Sequence, residues 1–127
     1  MDFLLDTCSA LWYFNGNDEM PKSARAIVLN PENSIYVSVA TIWEVAIKMS
    51  IGKLGFNGGI DGFIGAIEDE GFTLLDITTG HIKTVKDLPI LHRDPFDRML
   101  VAQAIVEELP IITTDSHIVK YNITNIW

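Results

Sequence analysis

Residues 94–112 decide the fold; they read DPFDRMLVAQAIVEELPII. Asp94-Pro95 predicts the start of a helix, because aspartate caps helices and proline suits their first turn, and Pro110 ends it after about Glu108. Positions 96–106 are almost wholly apolar, which is typical of a helix inside a molecule. A β-branched strand at 111–113 follows at once, so a buried helix leads directly into a strand.

Working outward from this stretch, apolar strands alternate with helical segments along the chain. The predicted strands are 3–5, 35–37, 72–77, 111–113 and 123–127. The predicted helices are 7–14, 22–29, 39 to about 51, 60–70, 78–88, 94 to about 108 and 116–120. Such alternation indicates an α/β fold in which helices cover both faces of a parallel sheet.

Length and composition limit the possible classes of protein. A chain of 127 residues with 48% hydrophobic residues predicts one folded domain, 1–127. The single cysteine, Cys8, excludes an internal disulfide. No apolar run approaches the roughly 18 residues of a membrane span, and no basic segment opens a signal peptide, so we expect a cytoplasmic protein without membrane contact. A net charge of -8 argues against a plain basic surface for nucleic acid.

Four carboxylates occupy half-buried positions in this predicted fold. Asp6 and Asp115 follow predicted strands, and open α/β sheets bind ligands at the carboxyl ends of their strands. Asp97 lies in the first turn of the apolar helix, and Glu44 lies in the middle of another apolar helix. Burying ionised carboxylates without partners is costly, and a divalent cation such as Mg²⁺ would account for all four.

Each acid also has an ordinary structural explanation. Asp6 and Asp115 could cap the helices that follow them, and Asp97 is placed as in a capping box. Glu44 could pair with Lys48 one helical turn later. No single acid is specific, so the prediction of a metal site depends on their joint placement.

Four segments resemble the PIN-domain ribonucleases and, more closely, the VapC toxins of VapBC toxin–antitoxin pairs. They are Leu4-Leu5-Asp6-Thr7, Trp43-Glu44-Val45-Ala46, the run HRDPFDRMLVAQA at 92–104, and Ile112-Thr113-Thr114-Asp115. The run at 92–104 is the most specific, and the resemblance covers essentially the whole chain. It implies a three-layer α/β/α sandwich with a mainly parallel central sheet.

The resemblance also implies a function, an Mg²⁺- or Mn²⁺-dependent endoribonuclease that acts as the toxin of a type II pair. The family's four acidic positions match Asp6, Glu44, Asp97 and Asp115. Our hypothesis is that one or two metal ions are held by Asp6, Asp97 and Asp115, with Glu44 in the site. The implied partners are an RNA substrate, a VapB-like antitoxin and a second copy of the chain in a homodimer.

Other residues complete the expected site. Thr7 and Thr113 match hydroxyl positions that support the acids, Asp94 is interpreted as a cap that also supports the cluster, and His117 stands where many relatives carry another acid. Three basic residues could contact RNA phosphates or simply pair with neighbouring acids: Lys48, Arg93 and Arg98.

The remaining chemically active side chains have ordinary explanations. Cys8 is expected to be a small core residue and Trp43 to pack in the core. The aromatic run 12–14 could pack inside or present a patch to a partner. Three histidines lack metal-ligand spacing and are expected to be surface or capping residues: His81, His92 and His117.

Two other classes of protein share some of these features. A receiver-type phospho-acceptor domain would also carry Asp6 after its first strand, but it needs paired acids there and a late lysine. Leu5 precedes Asp6, and positions 113–115 contain no lysine. A catalytically inactive binding module on the same fold would have no need of all four acids.

Overall fold

The computed structural model describes residues 1–121 and 123–126, in which strands and helices alternate as predicted. The strands are β1 (Asp2–Leu5), β2 (Ser34–Ser38), β3 (Thr73–Leu75), β4 (Ile111–Ile112) and β5 (Asn125–Ile126). The helices are α1 (Thr7–Asn15), α2 (Lys22–Leu29), α3 (Val39–Ser50), α4 (Gly59–Asp69), α5 (Thr79–Asp87), α6 (Pro95–Glu107) and α7 (Ser116–Val119). Trp127, expected in the last strand, lies outside the described residues.

The strands form one sheet in the order β3-β2-β1-β4-β5, and every pairing is parallel. Central β1 pairs Phe3 with Ile35 on one side and Leu4 with Ile111 on the other. Because all strands run the same way, their carboxyl ends meet at one edge of the sheet. Thr113, expected in β4, lies just beyond it at that edge.

Alternate residues of the strands face two separate hydrophobic clusters. Phe3 and Leu5 join the cluster that packs under α1, α2, α3 and α4, whereas Leu4 joins the cluster under α6 and α7. Successive side chains of a strand point to opposite faces, so the sheet lies between two helical layers. The predicted α/β/α class is confirmed.

Helix α6 is buried over its middle but not throughout. Leu100 to Ala104 are buried, as predicted, whereas Ile105 and Val106 are 43% and 42% exposed. The expectation that the whole apolar stretch is interior was wrong for this last turn, which faces solvent together with Glu107. None of the helices in the described part of the chain combines the length and apolar character required to cross a bilayer.

Candidate metal centre

Asp6 and Asp115 are brought together at the carboxyl ends of β1 and β4. Asp6 is buried; its Oδ1 accepts the Ser9 N–H at 2.8 Å and its Oδ2 accepts the Thr113 hydroxyl at 2.5 Å. The same hydroxyl oxygen accepts the backbone N–H of Asp115 at 2.9 Å. Thr113 therefore ties the two acids together across neighbouring strands.

Glu44 projects from α3 into the same region. It is buried, its Oε1 accepts the Thr7 hydroxyl at 2.8 Å, and its Oε2 lies 3.0 Å from Lys48 Nζ. The Thr7 hydroxyl also lies 3.1 Å from that of Thr41. Glu44 thus makes the ion pair with Lys48 that the sequence offered as an alternative. It also accepts a hydrogen bond from Thr7, the threonine that follows Asp6.

Asp97 enters the cluster from the first turn of α6. Asp94 caps this helix, since its Oδ1 accepts the N–H groups of Phe96 and Asp97 at 2.8 and 3.1 Å. The Asp97 carboxylate is directed elsewhere, with its Oδ2 2.7 Å from His92 Nε2. Its side chain therefore makes a contact that differs from a capping box.

The pKa values of Asp6 and Asp97 respond to burial and to the charges of the neighbouring acids. Burial raises the pKa of Asp6, hydrogen bonds lower it in part, and the negative charge of Asp115 raises it further. Burial also raises the pKa of Asp97, to about 6, helped by the charges of Asp94, Asp115 and Glu44 and opposed by its hydrogen bond to histidine. Carboxylate oxygens are the ligands that Mg²⁺ and Mn²⁺ prefer, so the donor chemistry of these residues fits a divalent ion. In the described part of the chain, the groups of three ligand atoms within 4.8 Å of one another place Asp97 with Asp94 and His92, and Asp115 with His92 and His117, rather than with Asp6.

Two histidines lie beside these acids; the position of His117 follows from the resemblance, whereas that of His92 was not expected. The rings of His92 and His117 stack with centroids 4.6 Å apart and an interplanar angle of 17°. His117 Nδ1 lies 3.2 Å from Asp115 Oδ1. His117 is exposed, as expected of a surface residue, whereas His92 is half-buried and its ring contacts Asp97. A signal was present in the sequence, because each stands two residues from an acid, Asp94 or Asp115.

His81 lies away from this cluster, fully buried between α5 and α6. Its Nδ1 accepts the N–H of Thr78, whose hydroxyl accepts the His81 N–H, and its Nε2 lies 3.3 Å from Glu107 Oε1. The capping role expected for it is correct and the surface position was wrong. Its second nitrogen has a partner on α6, which explains why the ring can be buried.

The three basic candidates differ in their surroundings. Lys48 lies at the site through Glu44, and Arg93 is exposed. Arg98 instead donates to the carbonyls of Val85 and Pro89, each at 3.0 Å. The Arg98 guanidinium therefore binds the 85–92 segment inside the fold.

Two further expectations about packing were wrong. Cys8 is exposed; partial burial, and the negative charge of Asp6, raise the pKa of its thiol to about 11. Trp43 is 59% exposed and meets the edge of Phe96 with centroids 5.0 Å apart, because the opposite side of α3, including Val45, faces the core. The aromatic run 12–14 packs against the first cluster, with Tyr13 buried.

Fold and site together define a class of protein: a parallel α/β domain with clustered acids at the carboxyl edge of its sheet. The family model described as PIN domain matches residues 3–123, and the chain belongs to this family. The resemblance inferred from the sequence is confirmed, and the receiver-type alternative was wrong. A search of curated proteins finds no match.

Solved structures with the same fold include VapBC complexes, in keeping with the expected likeness to VapC toxins. A chain of VapBC2 from Rickettsia felis, bound to a DNA fragment from their promoter, has a TM-score of 0.76 at 14% identity, with 100% of this chain and 99% of that one covered. A chain of DNA-bound VapBC from Salmonella typhimurium has a TM-score of 0.64 at 18% identity, with 99% and 97% covered.

Proposed function

We propose that this chain is an Mg²⁺- or Mn²⁺-dependent endoribonuclease, the toxin of a type II toxin–antitoxin pair acting in the cytoplasm as one domain, 1–127. The observation that carries the proposal is that Thr113 joins Asp6 and Asp115 at the carboxyl edge of the sheet, with Glu44 and Asp115 near enough for their charges to act on Asp97. Membership of the PIN family and the VapBC neighbours support the nuclease and toxin assignments.

Asp6, Asp97 and Asp115 would hold the metal, with Glu44 in the site. A bound divalent ion would supply Lewis-acid stabilisation of the phosphoryl charge and lower the pKa of a coordinated water. Burial raises the pKa of Asp6 and of Asp97, and neighbouring carboxylates raise both further, so a bound cation would favour their ionised forms.

The chain's own residues position these groups and bind the substrate. Thr113 orients Asp6 and Thr7 orients Glu44, each through its hydroxyl. Burial lowers the pKa of Lys48, but its hydrogen bond to Glu44 and that residue's charge outweigh this effect and raise it. Lys48 therefore stays protonated beside the acids, where it can contact a phosphate, and exposed Arg93 can extend the contact.

RNA cleavage by variants of the proposed metal ligands, compared with a control variant at the opposite end of β1, tests the proposal. Asp6→Asn and Asp97→Asn should each lower cleavage of RNA in Mg²⁺ by more than about 100-fold, since even indirect changes at metal sites cost 10- to 100-fold. Asp2→Asn is the matched control, because Asp2 is exposed at the other end of β1. Unchanged cleavage by the Asp6 and Asp97 variants would show that the site is assigned wrongly. A parent protein that binds Mg²⁺ but cuts no RNA would favour the inactive binding module.

We also propose that the chain forms a homodimer and binds a VapB-like antitoxin. Exposed apolar side chains on α3 and at its C-cap support protein contacts, since Trp43, Ile47 and Ile51 are 59%, 40% and 59% exposed at intervals of one turn. Light scattering after size-exclusion chromatography should give twice the chain mass at micromolar concentration. A mass equal to one chain would contradict the dimer.

A further inference from the structure

The histidine pair carries a chemistry that the four-acid site does not need. We propose that His92, His117 and Asp115 form a second metal site, beside the carboxylate site, that takes a borderline transition-metal ion of the Zn²⁺ type. The inference deepens the proposed function and shares Asp115 with it. The two sites differ in donor set, because imidazole nitrogens suit zinc, cobalt and nickel whereas Mg²⁺ prefers oxygen.

Distances among the donor atoms support a common ligand. One nitrogen from each histidine and one oxygen of Asp115 lie within 4.8 Å of one another, and His117 Nδ1 is 3.2 Å from Asp115 Oδ1. Metal–nitrogen and metal–oxygen bonds of about 2.1 Å place neighbouring donors roughly 3.0–3.4 Å apart. To surround one ion, the three donors must draw closer together and the two rings must turn out of their stacked arrangement, which leaves a position for water.

The fold holds His92 in place independently of any metal. Its backbone N–H donates to the Tyr121 hydroxyl at 3.2 Å, and that hydroxyl accepts Arg98 Nη1 at 3.0 Å. The same Arg98 nitrogen lies 3.4 Å from the His92 carbonyl. A ligand whose main chain is fixed on both sides loses little conformational freedom on binding.

Solvent can reach the proposed site. The side chain of His117 is 53% exposed, and a cleft of about 380 Å³ is lined by both histidines together with Ile90, Leu91 and Arg93. His92 is also within 4.8 Å of the ligand atoms of Asp94 and Asp97, so it lies between the two donor sets. An ion could thus enter from solvent without disturbing the buried Asp6.

Zinc titration of the metal-free full-length protein, with a chromophoric zinc indicator as competitor, tests the inference. His117→Ala and His92→Gln should each weaken Zn²⁺ binding by more than about 10-fold. Ser116→Ala, an exposed neighbour on α7, is the control and should bind Zn²⁺ like the parent. In NMR spectra, ring signals of both histidines should shift further with Zn²⁺ than with Mg²⁺, because only Zn²⁺ is expected to bind their nitrogens directly.

The outcomes separate the inference from the proposed function. If Zn²⁺ binds equally to the parent and both histidine variants, the stacked rings are not metal ligands and the inference is overturned, whether or not RNA is cleaved. If Zn²⁺ binding falls as expected while the parent cuts no RNA in Mg²⁺, the nuclease proposal fails and the second site stands. Circular dichroism of His117→Ala confirms that a loss of binding does not reflect a loss of fold.

Discussion

Asp97 should make the metal-free protein less stable as the pH rises. Its pKa in an unfolded chain is 3.8, whereas burial and neighbouring negative charges raise it to about 6 in the folded protein. The folded state therefore holds this proton more tightly, and its contribution to stability is complete below the unfolded pKa and lost as the pH rises through the folded one. A pKa difference of about 2, at 1.36 kcal/mol for each, corresponds to about 3 kcal/mol.

Urea unfolding in the presence of a chelator, followed by circular dichroism between about pH 3.5 and pH 7.5, measures this loss. Asp97→Asn removes the titrating group, so its free energy of unfolding should fall by about 3 kcal/mol less than that of the parent over this range. Comparing slopes cancels any constant effect of the altered contact with His92. Asp87→Asn, which removes an exposed carboxylate at the end of α5, is the control and should follow the parent.

Adding Mg²⁺ provides the second arm of this experiment. At pH 7.5 a concentration of 100 times the dissociation constant should raise the stability of the parent by about 2.7 kcal/mol, because the ion binds only the folded state. Asp97→Asn should gain much less. Parallel pH curves for the parent and Asp97→Asn, together with equal stabilisation by Mg²⁺, would refute both the raised pKa of Asp97 and its place in the metal site.

Two further substitutions test the contacts that build the site. Thr113→Val removes the donor to buried Asp6, so it should lower the free energy of unfolding in urea by about 2–3 kcal/mol and abolish most RNA cleavage. Thr114→Val, at the exposed neighbouring position, is the control and should change stability very little. Equal stabilities of the two variants would contradict the role given to the Thr113 hydroxyl. Arg98→Lys loses the planar guanidinium that bridges several carbonyls, so it should lower the free energy of unfolding by about 1–3 kcal/mol. The same change at exposed Arg93 should leave stability unchanged. Thermal unfolding in which the two lysine variants match would exclude this bridging role.

The sheet and its layers could be predicted because the signal is local and repeated. The run Phe3-Leu4-Leu5 is apolar at every position, which is typical of a strand buried on both faces. The helix starts were also readable, and the side chain of Ser38 caps α3 as predicted. The ends of strands were less accurate, since only Thr73–Leu75 pairs within the predicted 72–77.

The contact between the rings of His92 and His117 could not be predicted from their spacing in the sequence. His92 and His117 are 25 positions apart, and their contact depends on how the 85–92 segment folds back around Arg98. The sequence left this arginine with two roles, a phosphate contact or a pair with a neighbouring acid, because its sequence neighbours alone do not reveal the carbonyls to which it donates. Trp43 is a similar case, since a large aromatic residue on an apolar helix is normally assigned to the core.

Helix capping and metal binding were alternative explanations of the acids in the sequence, but one carboxylate can serve both roles in this fold. Asp6 caps α1 through Oδ1 while its Oδ2 accepts the Thr113 hydroxyl, so a single carboxylate serves the helix and also borders the site. Asp115 likewise caps α7 through Oδ1. Helices that follow parallel strands direct their positive N-terminal ends toward the carboxyl edge of the sheet, which stabilises acids there. Burial nevertheless raises the pKa values of Asp6 and Asp97, neighbouring carboxylates raise them further, and a divalent ion would favour the ionised forms. The net charge of -8 is therefore compatible with RNA binding that depends on metal.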